Sequence, residues 1–200
     1  MSVTAKKIAI FGGSFDPPTL SHRRAAQKLA SEFDHVFIVP CGQRSDKGKP
    51  HAMRMALERM AMCDLNFYNL HPNITIDFFD IQHDKFTTTF EMQKHYERLG
   101  EIWHVVGGDL ILGGADGCSE IQKKWSEGCW LWENLNFVVI PRPGYRFCLQ
   151  DCPPHRKIIW LDTDCSSTKA RQAAKQNNSL RSLVTSEIET YIFVKNLYQD

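Results

Sequence analysis

Two segments near opposite ends of the chain carry residue types that bind phosphate groups. The first, Gly12–His22, contains paired glycines, two prolines, a threonine and a histidine. Paired glycines after a strand let backbone N–H groups approach a phosphate closely, and a histidine in the first turn of the next helix adds a donor where the helix dipole favours an anion. An ordinary strand-to-helix turn, with the histidine capping a local group, explains these residues equally well.

The second segment, Ser166–Arg171, reads Ser-Ser-Thr-Lys-Ala-Arg. Serine and threonine are favoured at helix N-caps, and Lys169 and Arg171 fall in the first turns of the predicted helix. A hydroxyl-rich helix start with two cations can hold a polyphosphate. Taken alone, the segment is more typical of an ordinary surface helix, because many helices start with Ser or Thr and carry exposed Lys and Arg.

Both segments differ from two common nucleotide-binding motifs. Neither reads Gly-x-x-x-x-Gly-Lys-Ser/Thr or Gly-x-Gly-x-x-Gly. An ATPase-type phosphate loop is therefore not indicated, and an ordinary NAD-dependent dehydrogenase is disfavoured.

Composition narrows the class of protein further. The 24 basic and 23 acidic side chains give a net charge of +1, which disfavours a general nucleic-acid binder. No apolar run approaches the ~20 residues that a membrane-spanning helix needs. The apolar stretch near the N-terminus is too short for a secretory signal. The chain has seven cysteines, an odd number, and no Cys-x-x-Cys pair. We therefore expect reduced thiols and no structural zinc site. The expected location is the cytoplasm, with the nucleus left open.

Short apolar runs alternate with amphipathic stretches along the chain. This pattern predicts a single α/β domain over residues 1–200, a three-layer Rossmann-like parallel sheet flanked by helices. The predicted strands are Lys7–Phe11, Val36–Pro40, Ile74–Phe79, Ile102–Val106, Phe137–Ile140 and Ile158–Leu161. The predicted helices are Ser21–Phe33, Ala52–Cys63, Thr88–Leu99, Glu120–Trp125, Thr168–Lys175 and Ser186–Leu197.

Ligands of such folds bind at the carboxyl ends of the strands. The residues that follow the predicted strands are also the richest in Gly, Pro, His, Arg and Lys. They are Gly12–His22, Cys41–Lys49, Gly107–Leu110, Arg142–Tyr145 and Asp162–Arg171. The sequence therefore predicts one site built from loops far apart along the chain.

Together the two segments resemble the nucleotidyltransferase superfamily, which is marked by His/Thr-x-Gly-His near the start and Ser-Ser-Thr-x-x-Arg near the end. The resemblance is closest to the nicotinate/nicotinamide mononucleotide adenylyltransferases and extends, with gaps, over nearly the whole chain. Three residues depart from the family pattern: Thr19 is a tolerated variant, Ser21 replaces the glycine, and Cys165 replaces an isoleucine. Further matching segments are Phe86–Thr89, Gly107–Leu110, Trp125 and the Arg-Pro-Gly of Arg142–Gly144.

The resemblance implies transfer of AMP from ATP to a pyridine mononucleotide, with pyrophosphate leaving and Mg²⁺ bridging the phosphates without a protein cage. It implies catalytic roles for His22, Thr19 and Arg171. The ATP-binding residues that it implies are Gly12, Gly13, Ser14, Phe15, His22, Gly107, Asp109, Ser167, Thr168, Lys169 and Arg171.

The mononucleotide-binding residues implied by the family are Ser14, Phe15, Lys47, Arg44, Thr87, Trp125 and Arg142. Lys47 is preferred over Arg44 as the phosphate contact, although a solvated charged loop explains these cations nearly as well. Trp125 is predicted to stack on the pyridine ring, but could equally belong to the core. Trp103, Trp130, Trp132 and Trp160 are expected to be packing residues.

Several questions stay open at this stage. The sequence does not decide between the acid and the amide mononucleotide, nor does it define the oligomeric state, with a homo-oligomer left open. Alternatives are an adenylyl- or cytidylyltransferase of the same superfamily with another phosphate acceptor, and a non-catalytic nucleotide sensor. A tRNA-binding role is disfavoured because the chain is too short for an anticodon domain.

Overall fold

The sheet at the centre of the molecule has six strands, all parallel, in the order β3-β2-β1-β4-β5-β6. It is seen in a computed structural model that describes residues 5–42, 56–83 and 85–199. The strands are β1 Lys7–Gly13, β2 His35–Pro40, β3 Ile74–Ile76, β4 Glu101–Gly107, β5 Asn136–Ile140 and β6 Arg156–Ile158.

Helices connect the strands and cover the sheet. They are α1 Leu20–Glu32, α2 Ala56–Phe67, α3 Phe79–Gln82, α4 Thr89–Tyr96, α5 Glu120–Lys124, α6 Gly128–Asn134, α7 Ser167–Lys175 and α8 Ser186–Val194. Short 3₁₀ turns lie at Glu97–Leu99, Gly108–Ile111, Gly114–Asp116 and Leu149–Asp151.

Both faces of the sheet are buried, as the alternation of side chains along β1 demonstrates. Ala9 and Phe11 pack with α1 in one core cluster, whereas Ile8 and Ile10 pack with Met92 and other residues in another cluster on the opposite face. A strand buried on both faces reads as a continuous apolar run, as seen here. The predicted α/β architecture with helices around a parallel sheet is confirmed.

Two predicted strands have wrong ends. The strand predicted to reach Phe79 stops at Ile76, because the side chain of Asp77 accepts the N–H of Phe79 and turns the chain into α3. The strand predicted over Ile158–Leu161 instead covers Arg156–Ile158. Beyond it, the carbonyls of Trp160 and Asp162 accept hydrogen bonds from α1 side chains rather than from a strand.

Helix α6 and two tryptophans also depart from prediction. The α6 segment begins after Glu127, which has a positive φ of 58° and gives no capping signal in the sequence. Trp130 on α6 is 46% exposed and Trp160 is 59% exposed, so their predicted role as packing residues is wrong. Each makes an edge contact at the surface, Trp130 with Phe90 and Trp160 with Phe147.

Candidate active site

The strand order of the sheet reverses between β1 and β4, which is its topological switch point. From β1 the sheet continues to β2 and β3 on one side, and from β4 to β5 and β6 on the other. Gly12 and Gly13 end β1, and Gly107 ends β4. A crevice at such a switch point is the usual ligand site of an open α/β sheet.

Gly107 leaves space for two side chains that lie above it. A Cβ at this position would come within 2.3 Å of Asp109 Oδ1 and 2.8 Å of Arg142 Nε. These two side chains form an ion pair with Arg142 Nε 3.2 Å from Asp109 Oδ1. The glycine therefore lets an acidic and a basic side chain from neighbouring strand ends meet at the switch point.

His22 is held by the backbone at the start of α1. Thr19 is the N-cap of this helix and His22 is its third residue. The N–H of Thr19 donates to His22 Nδ1 at 3.0 Å, and Thr19 Oγ1 lies 2.9 Å from the same nitrogen. Because a backbone N–H can only donate, Nδ1 is unprotonated and the proton of a neutral imidazole is on Nε2.

The surroundings keep His22 neutral. Burial first, and then the positive charge of Arg142, lowers the pKa of His22 from 6.5 to about 4. Within the described residues, Nε2 makes no hydrogen bond. His22 thus has a neutral ring whose Nε2–H is left to donate to a ligand.

The second phosphate segment begins α7 and touches the first. Ser166 is the N-cap of α7, and its Oγ accepts the N–H of Lys169 at 3.2 Å. Ser167 Oγ donates to the carbonyl of Pro17 at 2.8 Å. Two segments about 150 positions apart are therefore in direct contact.

Arg171 strengthens this connection. Its guanidinium donates to the carbonyl of Asp16 at 2.6 Å and to Thr168 Oγ1 at 3.3 Å. Lys169 instead pairs with Asp164, with both side chains about half exposed. The structure thus brings His22, Thr19, Ser167, Thr168 and Arg171 together at the starts of two helices.

The residues predicted to bind the mononucleotide lie in packed surroundings. The ring of Phe15 is 2% exposed and packs edge-on against Phe11, His22 and Phe67, so a ligand contact would fall to its backbone. Thr87 is buried, and its N–H donates to Asp80 Oδ2 at 3.0 Å.

Trp125 ends α5 and is partly buried against a core cluster that includes Ile111 and Ile121; Leu110, next to Asp109, packs against the same cluster. Both alternatives for this residue, a platform for a ring and a core residue, remain compatible with that position. Arg44 and Lys47 lie outside the described residues, so their predicted contacts remain predictions.

Two residues that the sequence did not indicate support the loops of the site. Arg59 of α2 is buried, and its guanidinium donates to the carbonyls of Ser14 and Cys41, at 3.0 and 2.7 Å. It thereby joins the loops after β1 and β2. Tyr198 donates from its hydroxyl to Asp16 Oδ1 at 2.6 Å. No pattern marks Arg59 or Tyr198, whereas Asp16 lies inside the first segment.

Two searches for other kinds of site concern only the residues that the structure describes. None of the helices there is long and apolar enough to cross a membrane. In the same residues, no group of three or more His, Cys, Asp or Glu side chains is arranged to hold a metal ion.

Comparison with known proteins shows what the chain as a whole is similar to. A similar protein from Shouchella clausii, named probable nicotinate-nucleotide adenylyltransferase, is 28% identical over 98% of each chain. One of the same name from Caldicellulosiruptor saccharolyticus is 27% identical over 97% of this chain and 100% of its own. These similarities confirm the resemblance found in the sequence.

A solved structure and a family description complete the comparison. The Plasmodium falciparum nicotinic acid mononucleotide adenylyltransferase complexed with NaAD superimposes with a TM-score of 0.77 at 25% identity, covering 97% of this chain and 98% of that one. The sequence model of the family described as cytidylyltransferase-like matches residues 10–173. The chain therefore belongs to the cytidylyltransferase-like family.

Proposed function

We propose that this chain transfers the adenylyl group of ATP to the 5′-phosphate of nicotinate mononucleotide, giving deaminated NAD and pyrophosphate, a step of NAD biosynthesis. The names of the similar proteins and the NaAD complex of the similar structure support this reaction. The observation that carries it is the neutral His22, held with Nε2–H free at the start of α1 and beside the end of β1.

The chemistry needs one phosphorus–oxygen bond to form and one to break. A 5′-phosphate oxygen of the mononucleotide attacks the α-phosphorus of ATP in line, and the bond to the β-phosphate oxygen breaks as pyrophosphate leaves. His22 donates from Nε2 to an α-phosphate oxygen and stabilises the charge that develops there. A neutral donor does this without having to gain or lose a proton.

The start of α7 is proposed to hold the leaving pyrophosphate. The backbone N–H groups of Ser167 and Thr168 and the hydroxyl of Thr168 favour an anion, and Arg171 adds a permanent charge, while the Ser167 hydroxyl keeps its bond to Pro17. Because Arg171 also donates to the carbonyl of Asp16, it fixes the distance between this helix and the loop before His22. Lys169 would exchange its partner Asp164 for a phosphate oxygen.

Asp109 and Arg142 are proposed to contact the ribose of ATP and the acceptor mononucleotide, respectively. Asp109 would accept from the ATP ribose, while Arg142, Thr87, Trp125 and the backbone of Ser14 and Phe15 would contact the mononucleotide. Arg44 and Lys47 are proposed to hold its phosphate.

Mg²⁺ is proposed to enter with ATP as part of the substrate. No cluster of acidic side chains in the described residues would hold it, so phosphate oxygens and water would be its ligands. A cytosol-like, reducing compartment is also proposed, and it is supported by the seven unpaired cysteines.

Pyrophosphate release tests the proposal. The protein is incubated with ATP and Mg²⁺, in parallel with nicotinate mononucleotide, nicotinamide mononucleotide and no acceptor. Release that depends on a mononucleotide confirms the reaction, and the ratio of kcat/KM values identifies the acid or the amide. Release with neither mononucleotide would overturn the proposal. ATP binding in that case would favour a sensor or a transferase that uses another acceptor.

A further inference from the structure

One side of α1 is joined to the segment between β6 and α7 by three polar side chains. Lys28 Nζ donates to the carbonyl of Trp160 and Arg24 donates to that of Asp162, both at 2.7 Å. Ser21 pairs with the hydroxyl of Thr163 at 2.5 Å. Positions 21, 24 and 28 repeat every three or four residues and therefore share one face of the helix.

Ser21 makes the contact that lies closest to α7. Its Oγ accepts the N–H of Cys165 at 3.1 Å. The carbonyl of Cys165 accepts from Thr19 Oγ1 at 3.5 Å. Both polar backbone groups of Cys165 are thus bonded to hydroxyls from the first phosphate segment, directly before the N-cap Ser166.

The hydrogen bonds of Ser21 depend on its side chain. The family pattern has glycine here, and a glycine cannot make either of them. The links from Ser167 to Pro17 and from Arg171 to Asp16 start from residues of α7 itself. Ser21, together with the longer contact of Thr19, therefore fixes the segment that leads into α7, whereas the links from Ser167 and Arg171 fix the helix.

We propose that Ser21 is a positioning residue that sets the start of α7 relative to His22, so that the triphosphate of ATP meets both helix starts at the correct separation. This proposal rests on the proposed function, because the ligand at α7 is taken to be the β- and γ-phosphates. Ser21 itself does not touch the reacting atoms in this account.

Replacing Ser21 by alanine tests the proposal. Loss of a neutral hydrogen bond is expected to raise KM for ATP by about 3- to 10-fold, with KM for the mononucleotide unchanged within about twofold. Ser21→Thr keeps a hydroxyl and should recover most of the loss. The matched control is Ser31→Ala on the same helix, because the Ser31 hydroxyl is exposed and donates only to the nearby carbonyl of Lys28.

A double variant separates this contact from general weakening of the helix. If Ser21 acts partly through Thr163, then Ser21→Ala combined with Thr163→Val should raise KM for ATP by less than the product of the two single effects. Effects that simply multiply would contradict that coupling. An equal rise of KM for both substrates would also overturn the proposal, because it indicates general loss of structure.

Hydrogen exchange provides a readout that does not need catalysis. The amide of Cys165 should exchange several-fold faster in Ser21→Ala than in the wild type or in Ser31→Ala, since Ser21 Oγ is its acceptor. Unchanged exchange together with unchanged KM for ATP would overturn the proposal. If the wild type releases no pyrophosphate with any mononucleotide, the proposed function fails, while faster exchange and weaker ATP binding in Ser21→Ala would still support the positioning role.

Discussion

The two halves of the candidate site are held in place by different forces. In the phosphate half, residues 16–22 and 165–171, hydrogen bonds join groups that are 144 to 155 positions apart in the chain. In the acceptor half, Trp125 is set by packing, Thr87 by burial and a hydrogen bond to Asp80 only seven positions away, and Arg142 by one ion pair with Asp109.

This difference has a consequence for function. A phosphate group is the same in every nucleotide, so a rigid set of donors can be fixed before the ligand arrives. An acceptor ring is recognised by shape, and packed aromatic and loop residues can change without disturbing the donors. We therefore expect variants in the phosphate half to affect turnover or KM for ATP, and variants in the acceptor half to affect KM for the mononucleotide.

Replacement of His22 should have the largest effect. His22→Ala removes the proposed Nε2–H donor, and loss of one such donor typically lowers kcat by at least ~100-fold. His22→Ala also removes the acceptor of the Thr19 N–H, which should cost about 1 kcal/mol of stability. Turnover is measured by pyrophosphate release and stability by thermal unfolding.

Two further variants make the His22 experiment specific. His22→Asn offers an oxygen to the Thr19 N–H and should recover stability but not turnover. His71→Ala changes an exposed histidine in a turn and should change neither. Normal turnover in His22→Ala would remove this residue from the phosphate half.

The sequence predicted most of the phosphate half, because its functional residues lie close together within two short segments. Glycines, a helix start and a histidine one turn into the helix occur within eleven residues, and the second segment needs only six. What the sequence could not show is the contact between these segments. Ser21 was noted only as a departure from the family glycine, and its bond to the Cys165 amide depends on how α1 and α7 lie in space.

Substitution of Trp125 tests the acceptor half and should change the kinetics less than His22→Ala does. If its ring stacks on the pyridine, Trp125→Ala should raise KM for the mononucleotide by roughly 3- to 10-fold and leave KM for ATP nearly unchanged. Trp125→Phe keeps an aromatic face, so its KM for the mononucleotide should lie between those of the wild type and Trp125→Ala. Trp130→Ala removes a half-exposed tryptophan of the neighbouring helix and serves as control. A loss of folding in Trp125→Ala with normal KM in Trp125→Phe would assign the residue to the core.

The sequence predicted the central strands of the sheet better than the edge strand β6 and the helix α6. The central strands β1, β2, β4 and β5 are continuous apolar runs, so burial on both faces marks them in the sequence. At the edge, β6 is three residues long. Just beyond it the N–H of Ile159 still donates to Val139 of β5, whereas the carbonyl of Trp160 accepts from Lys28 of α1. The acceptor half depends on such margins: α6, which the sequence did not indicate, begins three residues after Trp125.

The smallest effect concerns pH and compares His22 with His104, a histidine in the core. His104 is 4% exposed, its Nε2 lies 2.9 Å from Gln93 Oε1, and burial lowers its pKa from 6.5 to about 4, as for His22. Each is ~6.5 in the unfolded chain, so between about pH 4 and 6.5 the unfolded state binds more protons. Stability therefore falls on acidification through this window, by up to about 1.4 kcal/mol per pH unit for each histidine.

Substitution should remove these contributions one at a time. His104→Gln and His22→Asn should each reduce the slope of unfolding free energy against pH by up to one proton, with no change of slope above about pH 7.5, in urea unfolding at fixed salt. Carboxylates such as Glu91, whose pKa is lowered by the Thr88 hydrogen bonds, titrate alike in all variants and cancel in the difference. Because His22 is already unprotonated in the folded state above about pH 4, an ATP contact from its Nε2–H should lower its pKa further and steepen the wild-type slope only near and below pH 4. Titration of the ATP phosphates is common to the wild type and His22→Asn and cancels in their difference. An equal change of slope in both would show that the ligand does not use this donor, and the two histidines would then be alike in being core residues.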